Sequence, residues 1–143
     1  MFQYCTFLLD GHLFGVDVAS VQEVLKQQDL TPVPRAPREV AGLINLRGQI
    51  VTTLDLRTRL GLPERPAGSD SVSVVVRAAD GSPVSLVVDR IGDVLHVDAT
   101  SLEAPPDTVP ADVRALVTGI CKLENRLMLR LDTEKAVRVD SAA

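Results

Sequence analysis

Aromatic side chains are scarce here: three Phe, one Tyr and no Trp in 143 residues. A core must therefore be built from Val, Leu and Ile, and β-branched side chains favour strands. The same scarcity argues against a generic module that grips proline-rich peptides with clustered aromatics. Histidine is nearly missing. His12 and His96 are the only two, and neither sits in a metal-ligand pattern. No G-x-S-x-G, C-x-x-C, H-E-x-x-H or Walker-type sequence occurs, so covalent catalysis has no recognisable carrier. No apolar run approaches the roughly 18–20 residues that span a bilayer, so direct membrane insertion is not expected. No basic run could neutralise a row of phosphates and the net charge is -4, so nucleic acid is not an expected partner. The opening M-F-Q-Y-C-T-F-L-L-D lacks the basic start and small-residue cleavage site of a signal peptide, and a cytoplasmic protein is the expectation. The two cysteines, Cys5 and Cys121, each lie in an apolar segment. Count alone allows a disulfide, but in a cytoplasmic chain they read as reduced, buried thiols.

What is present is a series of strand signals. Residues 2–9 and 12–18 flank Asp10-Gly11, a favoured two-residue hairpin turn. In Ala19 to Leu25, Val21, Val24 and Leu25 stand at helical spacing. Ser20 reads as an N-cap and Glu23 as its capping-box partner, so a short helix is expected there. Pro32, Pro34 and Pro37 interrupt regular structure. From Val40 the pattern is strand, tight turn at Gly48, strand, and a short helix stopped by Gly61 and Pro63. Residues 63–71, rich in Pro, Gly, Ser and charge, read as a loop. Strands are expected at 72–78 and 83–89 around Asp80-Gly81, with an apolar run at 91–98 and a Pro-rich loop after it. The end repeats strand, turn, strand and short helix.

The chain also resembles itself. A shift of about 70 lays Asp10-Gly11 on Asp80-Gly81, and Glu23, Val24 and Leu25 on Asp93, Val94 and Leu95. A shift of about 77 lays Val40, Gly42, Leu46, Leu54 and Asp55 on Val117, Gly119, Leu123, Leu131 and Asp132. The halves, about 2–62 and 71–137, thus share one order of elements. Four or five strands bury two faces best by curling into a small barrel. The expected fold is mainly β: two small five-stranded β-barrels packed together, with short helices, in one unit over 1–143.

Asp10 and Asp80 read as turn formers, and Asp55 and Asp132 as caps of the helical pieces that follow them. Two other charges stand apart. Glu23 lies among Val21, Val24 and Leu25, and Arg47 adjoins the turn glycine Gly48 after an apolar strand. Two readings stay open: solvated surface charges worth a fraction of a kcal/mol, or an ion pair bordering a protein-binding surface. Their counterparts in the second half are Asp93 and Glu124, so the arginine position becomes an acid there.

The segment V-P-R-A-P-R-E-V-A-G-L-I-N-L-R-G-Q-I-V-T-T-L-D-L-R-T-R-L-G-L (33–62) closely resembles the signature of CheW-type coupling proteins. So do V-Q-E-V-L (21–25), L-V-V-D-R-I-G-D-V-L (86–95) and T-G-I-C-K-L-E-N-R-L-M-L-R-L-D-T-E-K (118–135), in order over nearly the whole chain. The resemblance implies SH3-like barrels and a non-enzymatic adaptor without cofactor or metal. It implies coupling of the cytoplasmic tip of methyl-accepting chemoreceptors to the regulatory domain of a CheA-type histidine kinase. Association in rings with other CheW-like domains beneath receptor arrays is implied too, with the receptor tip along a hydrophobic groove between the barrels. Carried onto this chain, the residues important for coupling are Glu23, Gly42 and Arg47, and with Val24, Asn45 and Gly48 they make the expected partner-binding set. Thr52, Thr53 and Arg130 depart from the pattern, which leaves a divergent adaptor that binds receptor but not kinase as the alternative. A generic β-barrel interaction module is a further alternative.

Overall fold

In the computed structural model, residues 2–98 and 101–138 are described; the outermost positions of the expected unit, 1 and 139–143, lie outside them. The first hairpin is β1 (Phe2–Leu9) and β2 (His12–Asp17), joined by Asp10 and Gly11, both at positive φ. This is the mirror-type turn that matches strand twist. A single 3-10 turn, Val18–Ser20, leads into β3 (Val21–Lys26). Next come β4 (Val40–Leu46), β5 (Gln49–Asp55) and helix α1 (Leu56–Arg59). The second half supplies β6 (Val72–Arg77), β7 (Pro83–Val88), β8 (Arg90–Val97) and the short β9 (Leu102–Glu103). It ends with α2 (Ala111–Arg114), β10 (Val117–Lys122), β11 (Leu127–Leu131) and α3 (Thr133–Val137).

Three local expectations need correction. Glu23 and Val24 lie on a strand, not a helix, and Ser20 caps nothing: β3 pairs antiparallel with β6 and its burial alternates along the strand. Backbone pairing and half-burial of Val21, Glu23 and Leu25 outweigh a weak helical spacing. Asp80-Gly81 is no copy of the Asp10-Gly11 turn. Gly81 N–H donates to Ala78 O, and Ser82 donates through both N–H and hydroxyl to Asp80 Oδ1. The Pro-rich segment after β8 holds β9 and α2.

The strands form two sheets, ordered β8-β1-β2-β11-β10-β9 and β3-β6-β7-β5-β4. Each half is divided between them. The first hairpin of each half joins the sheet that holds the second hairpin of the other half, through parallel pairs β2·β11 and β5·β7. Positions related by the two shifts fall at matching register: Gly15 opposes Arg130 as Ser85 opposes Thr53, and the same bulge precedes Gly42 and Gly119. Asp55 and Asp132 both cap the helix that follows, accepting N–H groups of Arg57 and Lys135.

The main core lies between the sheets. Phe7, Leu9, Phe14 and Val16 of one face Leu54, Val74, Val76, Leu86 and Val88 of the other, and Leu56, Leu60 and Leu116 join them. Phe7 and Phe14 stack at 6.1 Å. Each sheet also buries residues on its far face: Tyr4, Leu13, Cys121 and Met128 on one, Ile44, Val51, Val75 and Val87 on the other. Alternate side chains of one strand thus serve two cores, which explains how few aromatics suffice. Cys5 and Cys121 are both free and buried and belong to different clusters.

Candidate protein-docking site

Arg47 and Gly48 form the two-residue turn between β4 and β5, both left-handed at φ 53 and φ 86. Positive φ is uncommon for a side chain as large as arginine and belongs to this turn class. Asn45 holds it: its Oδ1 accepts Gly48 N–H at 2.9 Å. The Arg47 guanidinium donates to both oxygens of Glu23, at 2.9 and 2.7 Å. Arg47 is 73% exposed while Glu23 is only 18% exposed, so the acid is the anchored partner. Its hydrogen bonds and charge hold the Arg47 pKa above the ordinary arginine value.

This pair has an architectural meaning. β3 and β4 are the two edges of the five-stranded sheet. Glu23 stands on one edge and Arg47 at the turn that ends the other, so the sheet is curled until its edges meet. Thr31 and Leu43 reinforce the seam by exchanging both backbone hydrogen bonds at 2.9 Å. Gly42 lies beside it: a Cβ there would stand 2.8 Å from Thr31 O, and its φ is +153. Glu23, Val75, Ser85, Thr53 and Gly42 form one row across the sheet.

Around the seam the surface is apolar. Val24 is 43% and Ile50 65% exposed. A groove of about 500 Å³ runs nearby, lined by Val33, Pro37, Val40, Leu43, Val84 and Val137, with Thr52 on its wall. Of the six predicted site residues, the structure brings Glu23 to Arg47 and Asn45 to Gly48. Val24 adjoins on β3 with its side chain on the opposite face from Glu23, and Gly42 lies in the seam rather than at the turn.

A second cluster was not legible in the sequence. Asp89, between β7 and β8, accepts from Arg57 Nε at 2.9 Å and Nη2 at 2.5 Å, from Arg65 Nη2 at 2.9 Å, and from the Asp10 N–H at 2.8 Å. Burial pushes its carboxyl up, but the bonds from Arg57, the Asp10 N–H and Arg65 outweigh that and lower its pKa to about 2. The cluster joins the first hairpin turn, α1 and the connection between the sheets. Its members are distant in sequence, and only the L-V-V-D-R-I-G match drew attention to Asp89. Ile50 was also missed, though strict alternation along Q-I-V-T-T-L places it opposite Val51. Arg130, flagged as unusual, is engaged within its own sheet: it donates to Asp17 at 2.7 Å, Thr118 at 2.7 Å and the Tyr4 hydroxyl at 3.2 Å.

Among the described residues, no group of three or more His, Cys, Asp or Glu is placed to hold a metal ion. Among the same residues no helix is long and apolar enough to cross a membrane. What the surface offers is an ion-paired turn, exposed aliphatic side chains and an apolar groove, the equipment of a protein-interaction module. Comparison with known proteins makes this specific. The CheW-like domain profile matches residues 3–141. The chain is 32% identical over 136 residues to the chemotaxis protein CheW of Bacillus subtilis, covering 95% of this chain and 86% of that one. It is 30% identical over 137 residues to CheW of Treponema pallidum, covering 94% and 81%. The crystal structure of the scaffolding protein TtCheW from Thermoanaerobacter tengcongensis superposes with a TM-score of 0.86 at 32% identity, over 97% of this chain and 94% of that one. The chain belongs to the CheW-like domain family.

Proposed function

We propose that this chain is a non-enzymatic coupler that joins methyl-accepting chemoreceptors to the regulatory domain of a CheA-type histidine kinase at cytoplasmic receptor arrays. The observation that carries this is the Glu23–Arg47 seam, together with exposed Val24 and Ile50 and an apolar groove lined largely by the same sheet. An interface needs an apolar centre and charges that set register at its rim, and these residues supply both. The repeated strand order supports reading 2–62 and 71–137 as duplicated halves whose first hairpins are exchanged, so one chain presents two similar ends. Each contact can be weak, because repetition in an array raises effective concentration. Docking of the receptor tip along the groove fits its aliphatic lining.

The test is co-purification with a kinase and a receptor cytoplasmic fragment from the same genome, each alone and then together. A full coupler binds both and raises kinase activity only in the three-part mixture. Binding to receptor alone would instead identify an adaptor without kinase contact and would turn attention to Thr52, Thr53 and Arg130. Arg47→Glu sharpens the test. Because Arg47 is exposed, the variant keeps its circular-dichroism melt but loses binding to at least one partner. Unchanged binding to both would remove the turn from the site.

A further inference from the structure

The six-stranded sheet has its own seam, at the places equivalent to Glu23 and Arg47. The equivalence rests on register. Cys5 opposes Val94 as Val74 opposes Val24, and a bulge follows at the same step. Leu123 N–H donates to Arg126 O across the turn Glu124-Asn125, as Leu46 pairs with Gln49 across Arg47-Gly48. Asp93 therefore stands in the place of Glu23, and Glu124 in the place of Arg47.

The backbone pairing of this seam is kept, β9 to β10 at Glu103 and Ile120, but two carboxylates cannot tie it as Glu23 and Arg47 do. Both line a cleft of about 530 Å³ whose apolar wall is Leu8, Leu13, Leu95 and Leu123. Neither carboxylate has an ion pair or a side-chain hydrogen bond among the described residues. Arg126 borders the same cleft but occupies the place of Gln49, which takes no part in the Glu23–Arg47 tie. The cleft thus keeps an apolar wall and an excess of negative charge at the spot where the twin sheet holds a guanidinium.

We infer that this cleft is a docking site for an arginine on an exposed turn of a partner protein, whose guanidinium takes between Asp93 and Glu124 the place that Arg47 takes within the chain. A planar guanidinium can donate to two carboxylates at once while its aliphatic stem lies on the leucines. The inference goes beyond receptor and kinase coupling and holds whichever protein supplies the arginine.

The probe is the peptide acetyl-Asn-Leu-Arg-Gly-amide, a copy of residues 45–48, titrated into the labelled full chain and read by amide chemical shifts. Saturable shifts at Asp93, Glu124 and Asn125 below about 10 mM are expected. The citrulline peptide, equal in shape but neutral, should bind at least about ten-fold more weakly, a difference of about 1.4 kcal/mol. Glu124→Arg should abolish the shifts while leaving the melt intact, because it supplies the missing ion pair in cis. Asp93→Asn should weaken binding without unfolding. Equal binding of the citrulline or lysine peptide, shifts confined to other surfaces, absence of saturation, or full binding by folded Glu124→Arg would each overturn the assignment.

Discussion

The two sheets share a strand order but end differently. In the five-stranded sheet Glu23 and Arg47 meet across the edges, and Thr31 and Leu43 add backbone bonds to the join. In the six-stranded sheet β9 makes the matching backbone pairing with β10, but Asp93 and Glu124 face a cleft without an ion pair between them. A related contrast appears where the sheets connect. Asp89 after β7 collects Arg57, Arg65 and the Asp10 turn, whereas its counterpart after β2 is Ala19, and the counterpart of Arg57 is Glu134. A repeated strand order is thus furnished unequally. Both joins keep their backbone pairing, but one sheet adds an ion pair and a latch, and the other leaves two carboxylates unengaged beside it. Topology and register survive such divergence because they rest on backbone bonds and buried aliphatics, while surface charges change at little cost to stability.

The comparison breaks most sharply at its paired glycines. At Gly42 positive φ and the 2.8 Å approach to a backbone carbonyl act together, whereas a Cβ at Gly119 meets nothing nearer than 3.4 Å and needs no left-handed backbone. Gly42→Ala should cost about 3 kcal/mol or more, and Gly119→Ala less than about 1 kcal/mol. Paired urea melts read both values, and equal costs would mean that the two seams do not differ in backbone packing.

The latch comes next. Asp89→Asn removes the carboxylate hydrogen-bonded to buried Arg57, 8% exposed, and leaves it only the longer ion pair to Asp10 at 3.9 Å. A loss of about 2 kcal/mol is expected. Ala19→Asp, which adds an acid at the unlatched counterpart, should gain nothing, since no arginine waits there. Acid titration sharpens the same point. The folded pKa of Asp89, about 2, lies below the unfolded value near 3.9. Its contribution is therefore complete above about pH 4 and lost as pH falls toward 2. Melts of wild type and Asp89→Asn should converge over that interval, and parallel curves would show that the latch adds no stability.

The smallest effect belongs to the matched pair Thr53 and Arg130. Arg130 is fully partnered, but Thr53 Oγ1 and the neighbouring Ser85 Oγ are buried without a hydrogen-bond partner. Thr53→Val should therefore stabilise by about 1 kcal/mol, since it removes an unsatisfied hydroxyl at nearly constant volume. A rise in melting temperature of a few degrees is the readout; a fall would show that the hydroxyl is satisfied in solution.

Much of this was readable before any coordinates. The mainly β character followed from scarce aromatics and a supply of β-branched side chains, and most strand limits from turn residues such as Asp10-Gly11 and Gly48. The helix caps Asp55 and Asp132 were visible as acids ending strands. The failures were of one kind. Residues 19–25 carry both a helical spacing and two β-branched residues, and only the presence of β6 as a partner resolves the ambiguity. β9 is two residues long and has no pattern of its own. At the candidate site, Glu23 and Arg47 stood out individually, but the bond between them joins strands that are not neighbours in the sheet.

The sequence by itself determined which residues make strands and turns, that the core is aliphatic, and that the chain repeats its order of elements. These are consequences of side-chain period and backbone dihedral preference, which act over a few residues. Only the tertiary structure decided that the halves exchange their first hairpins, that one sheet ties its join with Glu23 and Arg47 while the other sets Asp93 and Glu124 in a cleft, and that Asp89 is the anchor of a four-part latch. Those outcomes depend on which distant groups are brought into hydrogen-bonding and ion-pair contact, and no pattern acting over a few residues encodes that.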